Sequence, residues 1–146
     1  MSDEPLRLLL VEDDPELARA VGRMLRSEGL DVTAAPSCGT ARALPCRFDL
    51  GVFDIGLPDG DGVDLATTLL ETDQVQRVVF FTAITRTSTM RRARRLGPLV
   101  PKREGAQALL HVVLGLLGRA PGTRSGFRST AAGPDTVGAG TKNRAG

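Results

Sequence analysis

Five short apolar runs alternate with five segments of helical character over the first 118 residues, and few topologies satisfy such a pattern. The runs are residues 6–11, 30–35, 50–53, 77–81 and 99–100. Between the first two, Asp14-Pro15 supplies an N-cap and a proline suited to the first helical position. Leu17, Val21, Met24 and Leu25 then share one helical face, and Gly29 closes the segment. Ser37 opens a short helix that Pro45 stops after Leu44. Residues 62–72 point Leu65, Leu69 and Leu70 inward, and residues 88–96 form an arginine-rich helix with Met90 and Ala93 as its apolar side. Leu109, Val112, Val113, Leu116 and Leu117 make the stripe of a last helix. Regular alternation implies right-handed βαβ units and a parallel sheet covered on both faces. The fold class is therefore α/β, in one domain over residues 1–118.

Residues 119–146 differ in kind. Fourteen of these 28 are Gly, Pro, Ser or Thr, and only Phe127 and Val137 are large and apolar. Such a segment buries too little surface to offset its chain entropy, so a disordered tail is expected. Its charge is 5 − 1 = +4, against 14 − 16 = −2 for residues 1–118, so the overall +2 hides a basic tail on a faintly acidic domain. No stretch approaches the roughly 20 apolar residues of a membrane span. The opening residues lack the basic region and apolar core of a secretory signal. Cys38, Cys46 and His111 are too few for a zinc cluster or a disulfide framework. A reducing cytoplasm is the expected location.

The polar groups suited to chemistry fall at the carboxyl ends of the runs: Glu12-Asp13, Asp54, Thr82 and Lys102. Open α/β sheets bind ligands on that side. Three carboxylates brought together repel one another, which implies a hard cation such as magnesium. Lys102 offers a point charge to a phosphate, and Thr82 a hydroxyl. Asp54 is then a candidate nucleophile that forms an aspartyl phosphate. Asp59-Gly60-Asp61-Gly62 hints at a calcium loop, but no glutamate falls at the twelfth position, which excludes it. His111 lies among apolar stripe positions and reads as an ordinary helix residue.

Four segments in order now carry a resemblance: Leu-Leu-Leu-Val-Glu-Asp-Asp-Pro, Phe-Asp-Leu-Gly-Val-Phe-Asp-Ile-Gly-Leu-Pro-Asp-Gly-Asp-Gly, Phe-Phe-Thr-Ala and Val-Pro-Lys. Across about residues 5–118 the chain resembles the receiver domain of two-component response regulators, of the single-domain chemotaxis type. The resemblance implies a flavodoxin-like doubly wound sheet of strand order 2-1-3-4-5 with five helices. It implies Asp54 as phosphoacceptor, with Glu12, Asp13, Asp54 and the Gly56 main-chain carbonyl around a magnesium ion. Thr82, the Ala83 amide and Lys102 would then hold and sense the phosphoryl group. The partners it implies are a sensor histidine kinase or phosphotransfer protein, and a downstream protein or second copy met through the face around the fourth helix and fifth strand. Signalling rather than enzymatic turnover is the implied function.

Four positions depart from the family pattern. Arg103 follows Lys102 where a cis-bonded proline is usual, and Leu99 replaces the usual Tyr or Phe, so the aromatic switch cannot operate as such. The segment from Thr82 to Lys102 is a residue or two short, and the fourth helix carries Arg91, Arg92, Arg94 and Arg95. That cluster reads as a solvated face or, more sharply, as a contact for an acidic partner or nucleic-acid phosphate. No aromatic residues interleave it, so direct DNA binding is not expected. Gly56 and Ile84, two past Asp54 and Thr82, carry no group to position a water, so a long-lived phosphoryl state is expected. Three alternatives use the same residues: the receiver of a DNA-binding transcriptional regulator without its output domain, a phosphorylation-independent interaction module, and a magnesium phosphatase. The last usually needs a second Asp two past the nucleophile, where this chain has Gly56.

Overall fold

The computed structural model describes residues 4–119. Five parallel strands form the main sheet: β1 (Arg7–Val11), β2 (Asp31–Ala35), β3 (Leu50–Phe53), β6 (Val78–Thr82) and β7 (Leu99–Pro101). Their spatial order is β2-β1-β3-β6-β7, which is the expected flavodoxin-like 2-1-3-4-5 arrangement counted over these five. Helices α1 (Pro15–Ser27), α2 (Cys38–Arg42), α3 (Gly62–Glu71), α4 (Thr87–Leu96) and α5 (Ala106–Leu116) cover both faces. The tail expected at residues 119–146 lies, beyond Arg119, outside the described residues.

Alternation along each strand sorts the core into two layers. Leu9 and Val11 of β1 join Phe53, Leu65, Leu69 and Phe80 on one side, beneath α2, α3 and α4. Leu8 and Leu10 join Val21, Leu25, Leu109 and Val113 on the other, beneath α1 and α5. Phe53 and Phe80 pair across β3 and β6, with ring centroids 6.1 Å apart. Phe48 and Phe81 are the other aromatic residues of a mainly aliphatic core, which contains no Trp or Tyr. Cys38 is buried in the first layer, and both cysteines are free.

Local chemistry places the helices. Asp14 caps α1 by accepting from the Glu16 and Leu17 amides at 3.0 and 3.4 Å, with Pro15 behind it. Gly29 leaves the helix with φ 88°, a conformation that favours glycine. Ser37 caps α2, which ends at Arg42 rather than at the expected Leu44. The last helix buries Leu109, Leu110, Val113 and Leu114, whereas Val112, Leu116 and Leu117 are only half-buried. The stripe is thus turned from the expected one, because α5 must seat on the sheet and on α1 at once.

A two-stranded hairpin, β4 (Gly56–Leu57) with β5 (Gly60–Asp61), stands between β3 and α3, where the sequence marks no strand. Its tip carries Asp59, whose carboxylate accepts from the Cys38 amide at 2.8 Å and the Gly39 amide at 2.9 Å. The Gly39 bond, then the Cys38 bond, hold the Asp59 carboxyl below its ordinary range. A depressed folded value gives stability that is full above about pH 4 and lost as pH falls through it. Asp59→Ala is therefore expected to lower the urea midpoint near pH 7, and the gap from wild type should narrow as pH falls toward about 2. A gap equal at both pH values would show that Asp59 stabilises α2 by some other route.

Candidate functional site

Strand register converges the site. Val11 pairs with Phe53, so Glu12 and Asp54, the next residue of each chain segment, leave the sheet side by side. Thr82 pairs with Pro101, which delivers Lys102 to the same edge. Main-chain bonds fix these exits: the Glu12 amide donates to Ala35 at 3.1 Å, and the Asp54 amide to Val11 at 3.0 Å. Lys102 then begins a single 3-10 turn, Lys102–Glu104, and no peptide among the described residues is cis.

The side chains form a compact charged group. Glu12 and Asp54 are 4% and 7% exposed, while Asp13 is exposed. Carboxylate oxygens of Glu12, Asp13 and Asp54 lie within 4.8 Å of one another. The Lys102 ammonium donates to Asp54 Oδ2 at 2.8 Å and lies 3.0 Å from Glu12 Oε1. Glu12 Oε2 also accepts from the Asp14 amide at 3.1 Å, and Asp54 Oδ1 from the Ile55 amide at 2.7 Å. Burial pushes the Glu12 carboxyl up; its bonds from Asp14 and Lys102 only partly offset this, and the Asp54 charge adds to it. Burial pulls Lys102 down, but hydrogen bonds to Asp54 and Glu12, and their charges, hold it above its ordinary value.

One cation thus faces three carboxylates. That imbalance of hard oxygen donors, two of them withdrawn from water, fits a divalent cation such as magnesium. Gly56 and Ala83 lie at the same edge, where with Ile55, Asp61, Ile84 and Arg86 they line a cavity of about 780 Å³. Thr82 is buried at the end of β6, and its hydroxyl accepts from the Ile84 amide at 3.2 Å. It makes no hydrogen bond to the carboxylate group, so of the sequence candidates Thr82 shares the edge without touching the charges.

The sequence and the fold are ones that known proteins share. Residues 8–113 match the family model of the response regulator receiver domain. The chain belongs to that family. The receiver is 30% identical over 98 residues to the chemotaxis protein CheY of Treponema pallidum, covering 64% of this chain and 68% of that protein. It is 38% identical over 81 residues to the transcriptional regulatory protein TrcR of Mycobacterium tuberculosis, covering 54% of this chain and 32% of TrcR. The match spans only about a third of such transcriptional regulators. Among solved structures, the non-phosphorylated HemR receiver domain from Leptospira biflexa superposes with a TM-score of 0.71 at 31% identity, covering 80% of this chain and 96% of that one.

Sequence reasoning missed the receiver's second set of ionic contacts. Asp61 caps α3 by accepting from the Val63 amide at 2.7 Å, and its other oxygen meets Arg92 of α4 at 3.3 Å. Arg92 also reaches Asp64 at 2.6 Å. The Asp61 contact first, then Asp64, raises the Arg92 guanidinium value, with burial acting against them. Aspartates at the start of a helix are visible in the sequence, but their partner 28 and 31 residues on is set by the approach of α3 to α4. Among the described residues no helix is long and apolar enough to cross a membrane.

Proposed function

We propose that this receiver is a phosphoacceptor in two-component signalling, with Asp54 taking a phosphoryl group from a sensor histidine kinase or phosphotransfer protein. The observation that carries the reading is the Asp54 carboxylate, 2.8 Å from the Lys102 ammonium and clustered with Glu12 and Asp13 at the carboxyl end of β3. A carboxylate oxygen attacks phosphorus, the P–O bond to Asp54 forms, and the bond to the donor's leaving atom breaks. Glu12, Asp13, Asp54 and the Gly56 carbonyl are the residues to hold magnesium, which when bound supplies positive charge to the phosphoryl oxygens. Lys102 is positioned to release Glu12 and follow the new charge.

Phosphorylation adds about −1.5 to −2 of charge and three acceptor oxygens. The Thr82 hydroxyl accepts from the Ile84 amide, which leaves its own proton to be donated to a phosphoryl oxygen, and the Ala83 amide is at the same edge. Those new bonds bias two packings of the β6–α4 connection and the face around α4 and β7. Leu99 is half-buried against the layer beneath α4, so the output step uses aliphatic packing where relatives of the expected pattern use an aromatic ring. Signalling, not catalytic turnover, is the function, and the cytoplasm is its site.

The test is incubation with magnesium and acetyl phosphate, read by intact mass over time. Wild type should gain one phosphoryl group and keep it well beyond seconds, because Gly56 and Ile84 offer no group to position a water. Asp54→Ala should gain none. An unmodified wild type would leave a phosphorylation-independent interaction module as the function. A second reading, the receiver of a longer DNA-binding transcriptional regulator, is supported by the names of relatives such as RprY of Bacteroides fragilis and TrcR.

A further inference from the structure

We infer that the outer face of α4 is a docking surface for an acidic polypeptide segment, and that it does not pair with a second copy of this chain. The inference rests on the receiver reading but not on phosphorylation of Asp54. Of the four arginines in α4, only Arg92 is neutralised within the fold, by Asp61 and Asp64. Arg91, Arg94 and Arg95 are exposed and, with Thr87 and Met90, line a depression of about 460 Å³. Arg91 stands three and four residues before Arg94 and Arg95, so these like charges are neighbours on one helix face and repel. No acid on α4 relieves them.

The helix is also lightly held. Ala93 is its one fully buried residue, and Arg86 at its N-cap makes no side-chain cap bond. A partner that supplies carboxylates would therefore remove repulsion and steady the element together. Twofold pairing cannot do this, because such an interface sets the same patch against itself. Arg91, Arg94 and Arg95 are exposed and α4 carries no acid, so a symmetric dimer through this face would set like charges together. Duplex DNA is disfavoured for a different reason. The half-buried Met90 beside these arginines offers apolar contact that a phosphate chain cannot use. Single-stranded nucleic acid is disfavoured as well: Phe48, Phe53, Phe80 and Phe81 are all buried, leaving no aromatic surface among the described residues for base stacking. A peptide with paired acids around an apolar anchor satisfies both the arginines and Met90.

The experiment titrates the full chain into a labelled short peptide that alternates acidic pairs with leucine, and into its Asn/Gln counterpart. Fluorescence anisotropy should show the acidic peptide binding at least about tenfold tighter, with the difference shrinking in high salt. Amide shifts in wild type should fall on Thr87–Leu96. Arg91→Gln/Arg94→Gln/Arg95→Gln should lose the preference yet keep phosphorylation by acetyl phosphate, which shows that its fold and acceptor site persist. Equal binding of the two peptides overturns the proposal. So does binding retained by the triple variant, which would place the contact on the basic residues beyond Arg119. Tighter binding of duplex DNA that the triple variant loses would assign the face to nucleic acid instead. Failure of wild type to gain a phosphoryl group, with the peptide result intact, overturns only the role of Asp54.

Discussion

Gly62→Ala is expected to destabilise the fold by about 3 kcal/mol, the upper end for adding one methyl group to a packed interior. A Cβ at Gly62 would stand 1.9 Å from the Asp54 carbonyl oxygen and 2.9 Å from both Asp54 C and Ile55 Cα. All three are backbone atoms, so no side-chain rotation relieves the clash. Gly62 also donates its amide to Ile55 at 2.8 Å as the first residue of α3. The helix therefore sits directly on the main chain that carries the candidate acceptor. Relief requires α3 to withdraw or Asp54 to shift, so the acetyl phosphate reaction should slow along with the loss of stability. Urea unfolding followed by far-UV circular dichroism measures the first effect in a chain without tryptophan. Gly115→Ala is the matched control: nothing lies within 4 Å of its added Cβ at this exposed position of α5, and a gain of about 0.5 kcal/mol is expected. A Gly62 variant as stable as wild type would mean that α3 is not seated as closely as the structure has it.

Both glycines are plain in the sequence, and nothing in their neighbours distinguishes them. Gly62 matters through a contact with the end of β3, which depends on how α3 packs and not on local pattern. The same division runs through the molecule. The five strands were legible because each is a short apolar run between helix signals, and Glu12, Asp13, Asp54 and Lys102 were legible because each ends such a run. Parallel register then brings strand ends together with no further information. The β4–β5 hairpin was hidden, because Gly56 to Asp61 is too short and too polar to show a strand period. Asp59 reaching back 20 and 21 residues to cap α2, and Arg92 tying α4 to the start of α3, are tertiary pairings with no periodic trace. The facing of α5 failed for a related reason: its apolar residues outnumber one stripe, and the sheet chose among them.

Lys102→Met should cost about 2–3 kcal/mol in the absence of divalent cations, and magnesium should return part of it. Removing one partner of a buried ion pair typically costs about 3–5 kcal/mol, because the other charge is left in a poor solvent. Lys102 is about a quarter exposed in its side chain, so water screens the change and brings the cost below that range. Two carboxylates, not one, lose their cation: Glu12 and Asp54 each take a bond from the same ammonium. They then repel without a mediator, and the easiest relief is uptake of a proton. Burial already holds the Glu12 carboxyl above its ordinary value, and loss of Lys102 moves it further in that direction. A carboxyl whose folded value is raised gives stability that is complete at low pH and lost as pH rises through that value. The gap between variant and wild type should thus be smaller at about pH 5 than at about pH 8. Magnesium supplies the missing positive charge to the same oxygens, so it should stabilise the variant more than the wild type. Thermal unfolding of both proteins, with EDTA and with magnesium at the two pH values, measures every part of this. A variant as stable as wild type in EDTA at the higher pH would show that the carboxylates tolerate each other without Lys102. The charge balance argued for the site would then be wrong, and with it the need for a cation there.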